Sequence, residues 1–358
     1  VSRPQPPPAA KQPRYATRHG RHSRRSITEL FQTSMTASVI LSAAMVLLVA
    51  SATAGIVLVI SPNPPSAAAP GSPFGNHPVV ITLPAFPESY LGAFANGVPN
   101  SYDSIDSFDS ATGVQPNIAL YYSGWGEPFQ AAFARQAADH GAVPLVQIEP
   151  GDTSLAAIIA GAYDSYLKSY ANAVASYGAQ TGHGVIIGFA HEPNGSWYPW
   201  GFGHVAPAIW VAAWRHVVTV FRHQGADDVT WLWTVNIIDV RGRIAAPGPW
   251  WPGSSYVTWI GIDGYYYKPS WRFAPLFGPT IKAVRALTLD PILISETAAA
   301  PAAGQPAKIT DLFAGISDYG LLGFVWFDAR RIKDWRIDSA AAVAAFRRGA
   351  KPYGRPAS

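Results

Sequence analysis

A chain of 358 residues without one cysteine excludes disulfides, thiolate metal centres and a cysteine nucleophile, so its chemistry must rest on oxygen and nitrogen groups. Its formal charge of +4 comes from one end: Arg3, Lys11, Arg14, Arg18, Arg21, Arg24 and Arg25 face only Glu29 within residues 1–36. The remainder is slightly acidic, which removes the electrostatic case for nucleic-acid binding.

The first predicted element is residues 37–60 (ASVILSAAMVLLVASATAGIVLVI), which carry no charge and are long enough to cross a hydrocarbon core about 30 Å thick. The basic residues before it predict a disordered cytoplasmic tail over 1–36 and an extracytoplasmic C-terminal bulk. The expected location is therefore the cell membrane, with a single pass. The alternative is a secreted protein released by cleavage at Ala67-Ala68-Ala69, although the apolar part of a signal peptide usually runs only about 7–15 residues. Residues 61–78, rich in proline and without periodicity, predict an extended linker. The folded domain is expected over 79–358.

Eight apolar runs follow, at Leu91–Ala95, Asn117–Tyr122, Val143–Ile148, Val185–Ala190, Val229–Thr234, Trp259–Tyr265, Ile292–Ser295 and Gly323–Phe327. Most lack alternation, as strands covered on both faces do. Between them the helical period returns, for instance at Leu155, Ile158, Ile159, Ala162 and Tyr166, or at Ile209, Ala212, Ala213 and His216. Gly141, Gly178 and Gly225 are placed to end such helices. Eight alternations over this length predict an α/β fold of the (β/α)8 TIM-barrel type. No Gly-rich phosphate fingerprint follows the first strand, which counts against a dinucleotide fold.

In such barrels chemistry sits at the C-terminal ends of strands. Two carboxylates end strands there: Glu192 after the fourth strand and Glu296 after the seventh. These strands face one another across the mouth. Two carboxyls about 5–5.5 Å apart perform the retaining reaction, in which one attacks the anomeric carbon while the other protonates the leaving oxygen. Either glutamate alone is equally consistent with an ion pair to a helix-borne arginine. The aromatic richness, 13% of residues with 13 tryptophans, suggests surfaces that stack sugar rings.

The run His191-Glu192-Pro193-Asn194-Gly195-Ser196-Trp197-Tyr198-Pro199-Trp200 resembles the acid/base motif of glycoside hydrolase family 26, which includes endo-β-1,4-mannanases, β-1,3-xylanases and mixed-linkage β-glucanases. Ile294-Ser295-Glu296-Thr297 is similar to its nucleophile segment, and the likeness spans roughly residues 85–350. The resemblance implies Glu192 as acid/base, Glu296 as nucleophile, His191 as a hydrogen-bonding neighbour and Trp197 as a stacking surface. It further implies that Tyr265 donates to the nucleophile and that Trp326 forms the floor beneath the cleaved ring. Pro193 departs from the methionine that many members carry.

Asn194, Trp125 and Asn236 are further candidates for substrate contact. Trp231, Trp233, Trp250, Trp251, Tyr266 and Trp271 are divided between sugar subsites and plain packing. Glu149 is read as a substrate-binding acid or as the partner of a basic group, and Asp328, Arg330 and Arg331 as residues shaping the far end of the cleft. The histidines have no zinc-ligand spacing, so neither metal nor other cofactor is expected. The expected protein is a monomer whose partners are a polysaccharide and, through residues 37–60, the membrane. A β-1,4-mannan is the first substrate reading and a β-glucan or β-xylan the alternative. A non-catalytic glycan-binding protein and a glycosyl-transferring enzyme remain as rivals.

Overall fold

The computed structural model of the protein describes residues 83–238, 244–331 and 333–353. The tail, apolar span and linker expected over residues 1–78 lie outside them. Among the described residues no helix is long and apolar enough to cross a membrane.

Eight strands, β1 (Tyr90–Pro99), β2 (Ile118–Gly124), β3 (Val143–Glu149), β4 (Val185–Phe189), β5 (Val229–Asn236), β6 (Trp259–Asp263), β7 (Ile292–Thr297) and β8 (Gly323–Asp328), run parallel. β8 pairs back onto β1, closing the barrel. Around it lie α1 (Asp103–Thr112), α2 (Ala131–Asp139), α3 (Leu155–Ile159), α4 (Asp164–Thr181), α5 (Pro207–His223), α6 (Phe273–Arg285), α7 (Gln305–Asp318) and α8 (Ala340–Gly349). The alternation departs from strict order after β5. There the described residues form two short 3-10 turns, Gly248–Trp250 and Ser254–Tyr256, and no α-helix. Prolines at 247, 249 and 252 withhold the N–H groups a helix would need.

Inward positions of the barrel are small or polar so that the few long side chains fit. Gln147 of β3 donates to Thr234 Oγ1 of β5 at 3.0 Å. A Cβ on Gly188 would fall 1.9 Å from the Gln147 Oε1, and one on Gly261 would meet Thr234 Oγ1 at 2.4 Å and Ser295 Oγ at 2.5 Å. These two glycines therefore leave room for the polar layer just beneath the mouth.

The tryptophans mostly serve the interface between sheet and helices, contrary to the stacking role suggested by composition. Trp210 and Trp214 of α5 stack at 5.4 Å, and Trp214 and Phe221 meet Trp231 of β5 edge-on. Trp231, Trp233, Trp250 and Tyr266 are buried, whereas Trp251 and Trp271 are half-buried. The buried face of α5 is Trp210, Ala213, Trp214, Val217, Val218, Val220 and Phe221. The expected face beginning at Ile209 was thus one residue out of phase, and Ile209 is exposed. Gly141 and Gly225 do follow helix ends with φ of 72° each. Gly178 instead lies inside α4, where a Cβ would approach Asp228 Oδ2 to 2.9 Å, and Gly182 at φ 70° ends that helix.

Candidate active site

The loop after β4 carries the chain through a backbone that side chains rarely adopt: Ala190 has φ 47° and Glu192 φ 54°. Two indoles hold it there. Trp210 Nε1 donates to the Ala190 carbonyl at 3.1 Å and Trp200 Nε1 to that of His191 at 2.9 Å. The Glu192 N–H reaches back to the Thr234 carbonyl at 3.0 Å. Such strain persists only when the surroundings enforce it, and it clusters where a side chain has to be aimed.

The Glu192 carboxyl is buried. Trp197 Nε1 donates to its Oε2 at 2.7 Å, and Asn236 Nδ2 donates to its Oε1. Gly195 makes the first contact possible, because a Cβ there would lie 2.4 Å from the Trp197 ring. Burial, and next the charge of Glu296, push the Glu192 carboxyl up to about 8 against the opposing hydrogen bonds. Glu192 is consequently a neutral acid near pH 7.

Glu296, in β7, accepts from two phenols: Tyr122 at the end of β2 reaches Oε2, and Tyr265 just after β6 reaches Oε1. Burial raises this carboxyl as well, while the two phenols and the Arg331 charge pull it down. Phenolic O–H groups bond the ionised form more strongly than amide or indole N–H groups do. The pair therefore places its proton on Glu192 and its charge on Glu296.

A third carboxyl stands between them. Asp263, the last residue of β6, pairs in register with Asn236 on one side and Glu296 on the other. Ser295 Oγ donates to its Oδ1 at 2.6 Å. Its Oδ2 has no N–H or O–H donor, and the Glu192 carboxyl is the group with which it can share a proton. Burial, then Glu296 and Glu192, raise Asp263 well above the usual carboxylate range.

His191 is buried and faces the Tyr198 hydroxyl through Nε2 at 3.0 Å. Desolvation lowers it to about 3, so the ring is neutral. Tyr198 in turn stacks on Trp200 at 4.3 Å.

Of the residues expected from sequence, Glu192, Trp197 and Asn236 form one group, and Glu296 and Tyr265 another. Three expectations are corrected. Asn194 is 0% exposed and fully engaged: Nδ2 donates to the carbonyls of Asn236 and Ala245, and Oδ1 accepts from the Asn236 N–H. It has no hydrogen bond left for a substrate and instead fixes Asn236 under Glu192. Trp326 does not form the floor of the mouth. Strand alternation turns its indole outward, edge-on to Phe346 of α8, with Nε1 on the Trp335 carbonyl at 3.1 Å. Trp125 is half-buried, its ring spent on edge-on packing against Tyr163 and Tyr166 in the helical layer.

The aromatic wall beside Glu296 is built by residues the sequence did not single out. Phe327, on the inward side of β8, stacks on Phe94 at 4.5 Å. Trp335 lies 4.8 Å from Tyr265 and 5.2 Å from Tyr267. Tyr267 is 42% exposed, and its phenol senses both Glu192 and Glu296. Asp328, the last residue of β8, accepts at Oδ1 from the Ile337 N–H at 2.8 Å, and in the loop that follows Arg330 is paired with Asp334.

Residues 155–289 match the model of glycosyl hydrolase family 26. Endoglucanase H of Acetivibrio thermocellus is 30% identical over 274 residues, which cover 72% of this chain but 30% of that protein. The chain thus spans under a third of that relative's length. Two solved structures share the fold. A GH26 beta-mannanase from Bacteroides ovatus is 15% identical with a TM-score of 0.54, the match covering 73% of this chain and 88% of the other. The catalytic domain of a GH26 endo-beta-1,4-mannanase from Bacillus sp. JAMB-750 is 14% identical with a TM-score of 0.57, covering 73% and 85%. With the strand-end glutamates in place and the family model matched through the β4 motif to the end of α6, the chain belongs to glycosyl hydrolase family 26.

Proposed function

We propose that the protein is a retaining glycoside hydrolase that cleaves internal β-glycosidic bonds of a polysaccharide, with Glu192 as acid/base and Glu296 as nucleophile. The observation that carries this reading is the division of labour between two carboxyls at facing strand ends: one raised to about 8, the other held by two phenols and a guanidinium charge.

In the first step Glu296 attacks the anomeric carbon while Glu192 gives its proton to the leaving oxygen. In the second, ionised Glu192 takes a proton from water, and that water displaces Glu296 from the sugar. Tyr122 and Tyr265 orient the nucleophile, and their hydrogen bonds weaken as its charge is spent on the new bond. The half-buried face of Trp197, beside Glu192, offers a stacking surface on the leaving-group side.

A β-1,4-mannan is the substrate we propose first. A β-glucan is the second reading, favoured by the name of the 30% identical relative, Endoglucanase H. Residues 37–60 are proposed to tether the domain to the outer face of the cell membrane.

The test is Glu192→Gln. It is predicted to lower kcat/KM on polysaccharide by about 100- to 10,000-fold and to spare kcat/KM on an aryl glycoside whose leaving group needs no proton, while kcat on that glycoside falls because the second step has lost its base. Equal loss of kcat/KM on both substrates, or loss on neither, would remove Glu192 from the acid/base role.

A further inference from the structure

Glu149 ends β3 and points the same way as Gln147, two residues earlier in the strand, which fills the barrel centre against Thr234. It therefore stands one layer higher, at the mouth, with its side chain 18% exposed. Among the described residues it has no hydrogen-bond donor. His191 Nε2 is 4.0 Å away and already faces Tyr198 at 3.0 Å. That imidazole is neutral, so it offers no charge either. Burial, followed by the charges of Glu296 and Glu127, raises the Glu149 carboxyl to about 7. A carboxyl taken this far out of water without a partner is unfavourable in the free protein, and its open side is the mouth.

The opposite wall has the complementary character. In an eight-stranded ring β7 lies across from β3, and the loops after β6 and β8 bring Tyr265, Tyr267 and Trp335 together there. A pyranose has a face of C–H groups and a rim of hydroxyls. Seated against Glu296 with one C–H face on the aromatic wall, it leaves the hydroxyls of its rim, and any axial hydroxyl of its other face, to the rest of the mouth, where Glu149 stands.

We propose that Glu149 is a specificity-determining, substrate-binding residue of this cleft, its carboxyl hydrogen-bonding a hydroxyl, or a neighbouring pair of hydroxyls, of the neutral sugar unit bound beside Glu296. The proposal rests on the hydrolase reading. It fits a neutral glycan, because a uronate rim would bring a second carboxylate against Glu149 and Glu127.

The test compares the full chain with Glu149→Ala and Glu149→Gln on β-1,4-manno-oligosaccharides and mixed-linkage β-gluco-oligosaccharides. Analogues lacking one hydroxyl of the reacting unit are included. Glu149→Ala is expected to lose about ten- to a hundred-fold in kcat/KM. One mono-deoxy analogue is expected to penalise the wild type by a similar factor and the alanine variant hardly at all, a coupling that a merely structural role would not produce. Should the alanine variant fail to fold by circular dichroism, the isosteric Glu149→Gln carries the same comparison. Parallel losses in wild type and variant on every deoxy analogue would overturn the proposal, as would unchanged kcat/KM in both variants. Failure of the wild type to cleave any of these oligosaccharides would overturn the hydrolase reading and this proposal with it; cleavage by the wild type with an indifferent Glu149 would overturn this proposal alone.

Discussion

At Glu192 the fold holds an acid in a place where the ionised form is unwelcome. Its carboxyl lies at about 8 in the folded protein against about 4.3 in an unfolded chain. Between those values the folded state keeps a proton that the unfolded state has released. The stability linked to this proton is complete below the unfolded value and is lost as pH rises through the folded one. Removing the ionisable group removes that loss. From pH 4 to pH 8 the melting temperature of Glu192→Gln is therefore predicted to gain on the wild type, as thermal melts at several pH values would record. A difference that does not change with pH, or that moves toward the wild type as pH rises, would contradict the assignment of the raised carboxyl to Glu192.

At the scale of elements, the loop after β4 works because neighbouring elements hold it. Trp210 comes from α5, while Thr234 and Asn236 come from β5. Asn194 joins that loop to β5 through two hydrogen bonds with Asn236 and to the segment beyond β5 through a third, to the Ala245 carbonyl. Asn194→Ala is predicted to destabilise the protein by about 1–3 kcal/mol for each buried group left unpaired, and to lower kcat more than it raises KM because Asn236 loosens from Glu192. Trp326→Phe is predicted to lower the melting temperature while leaving KM within about two-fold, as befits a side chain facing α8. A several-fold rise in KM would return Trp326 to the cleft.

The strands, the closure of the barrel and the strand-end glutamates were legible in the sequence, because parallel barrels expose chemistry at one predictable edge. The phase of each strand was not. Tyr121 and Tyr122 are adjacent, and only the structure shows that Tyr122 turns inward to Glu296 while Tyr121 packs on Phe133. The same ambiguity misplaced Trp326. Asp263 shares the inward face with Gly261 and Tyr265 by strand alternation, but only the register between β6 and β7, which shifts from Gly261 to Asp263 and pairs Asp263 with Glu296, places its carboxyl beside the glutamates; the strand expected to reach Tyr265 ends there, two residues early. Trp335 comes from a loop beyond β8, where no periodicity guides a reading. Lys308 of α7 holds the loop after β6 through the carbonyls of Pro269 and Trp271, a tertiary contact without sequence signature.

For the whole molecule, the barrel turns a separation of about a hundred residues into a facing pair, and its aromatic content is spent chiefly on joining sheet to helices. The proposed tether is testable in the full chain: the protein is predicted to sediment with membranes and to be released by detergent but not by salt. A soluble form beginning near Pro70 would contradict it. The central claim is that Glu192 and Glu296 act by double displacement. Proton NMR of the newly formed reducing end, followed from the first minutes of hydrolysis of a β-glycan that the protein cleaves, tests it most directly. The account predicts that the β anomer appears first and only later equilibrates with the α form; an α anomer at the outset would contradict it.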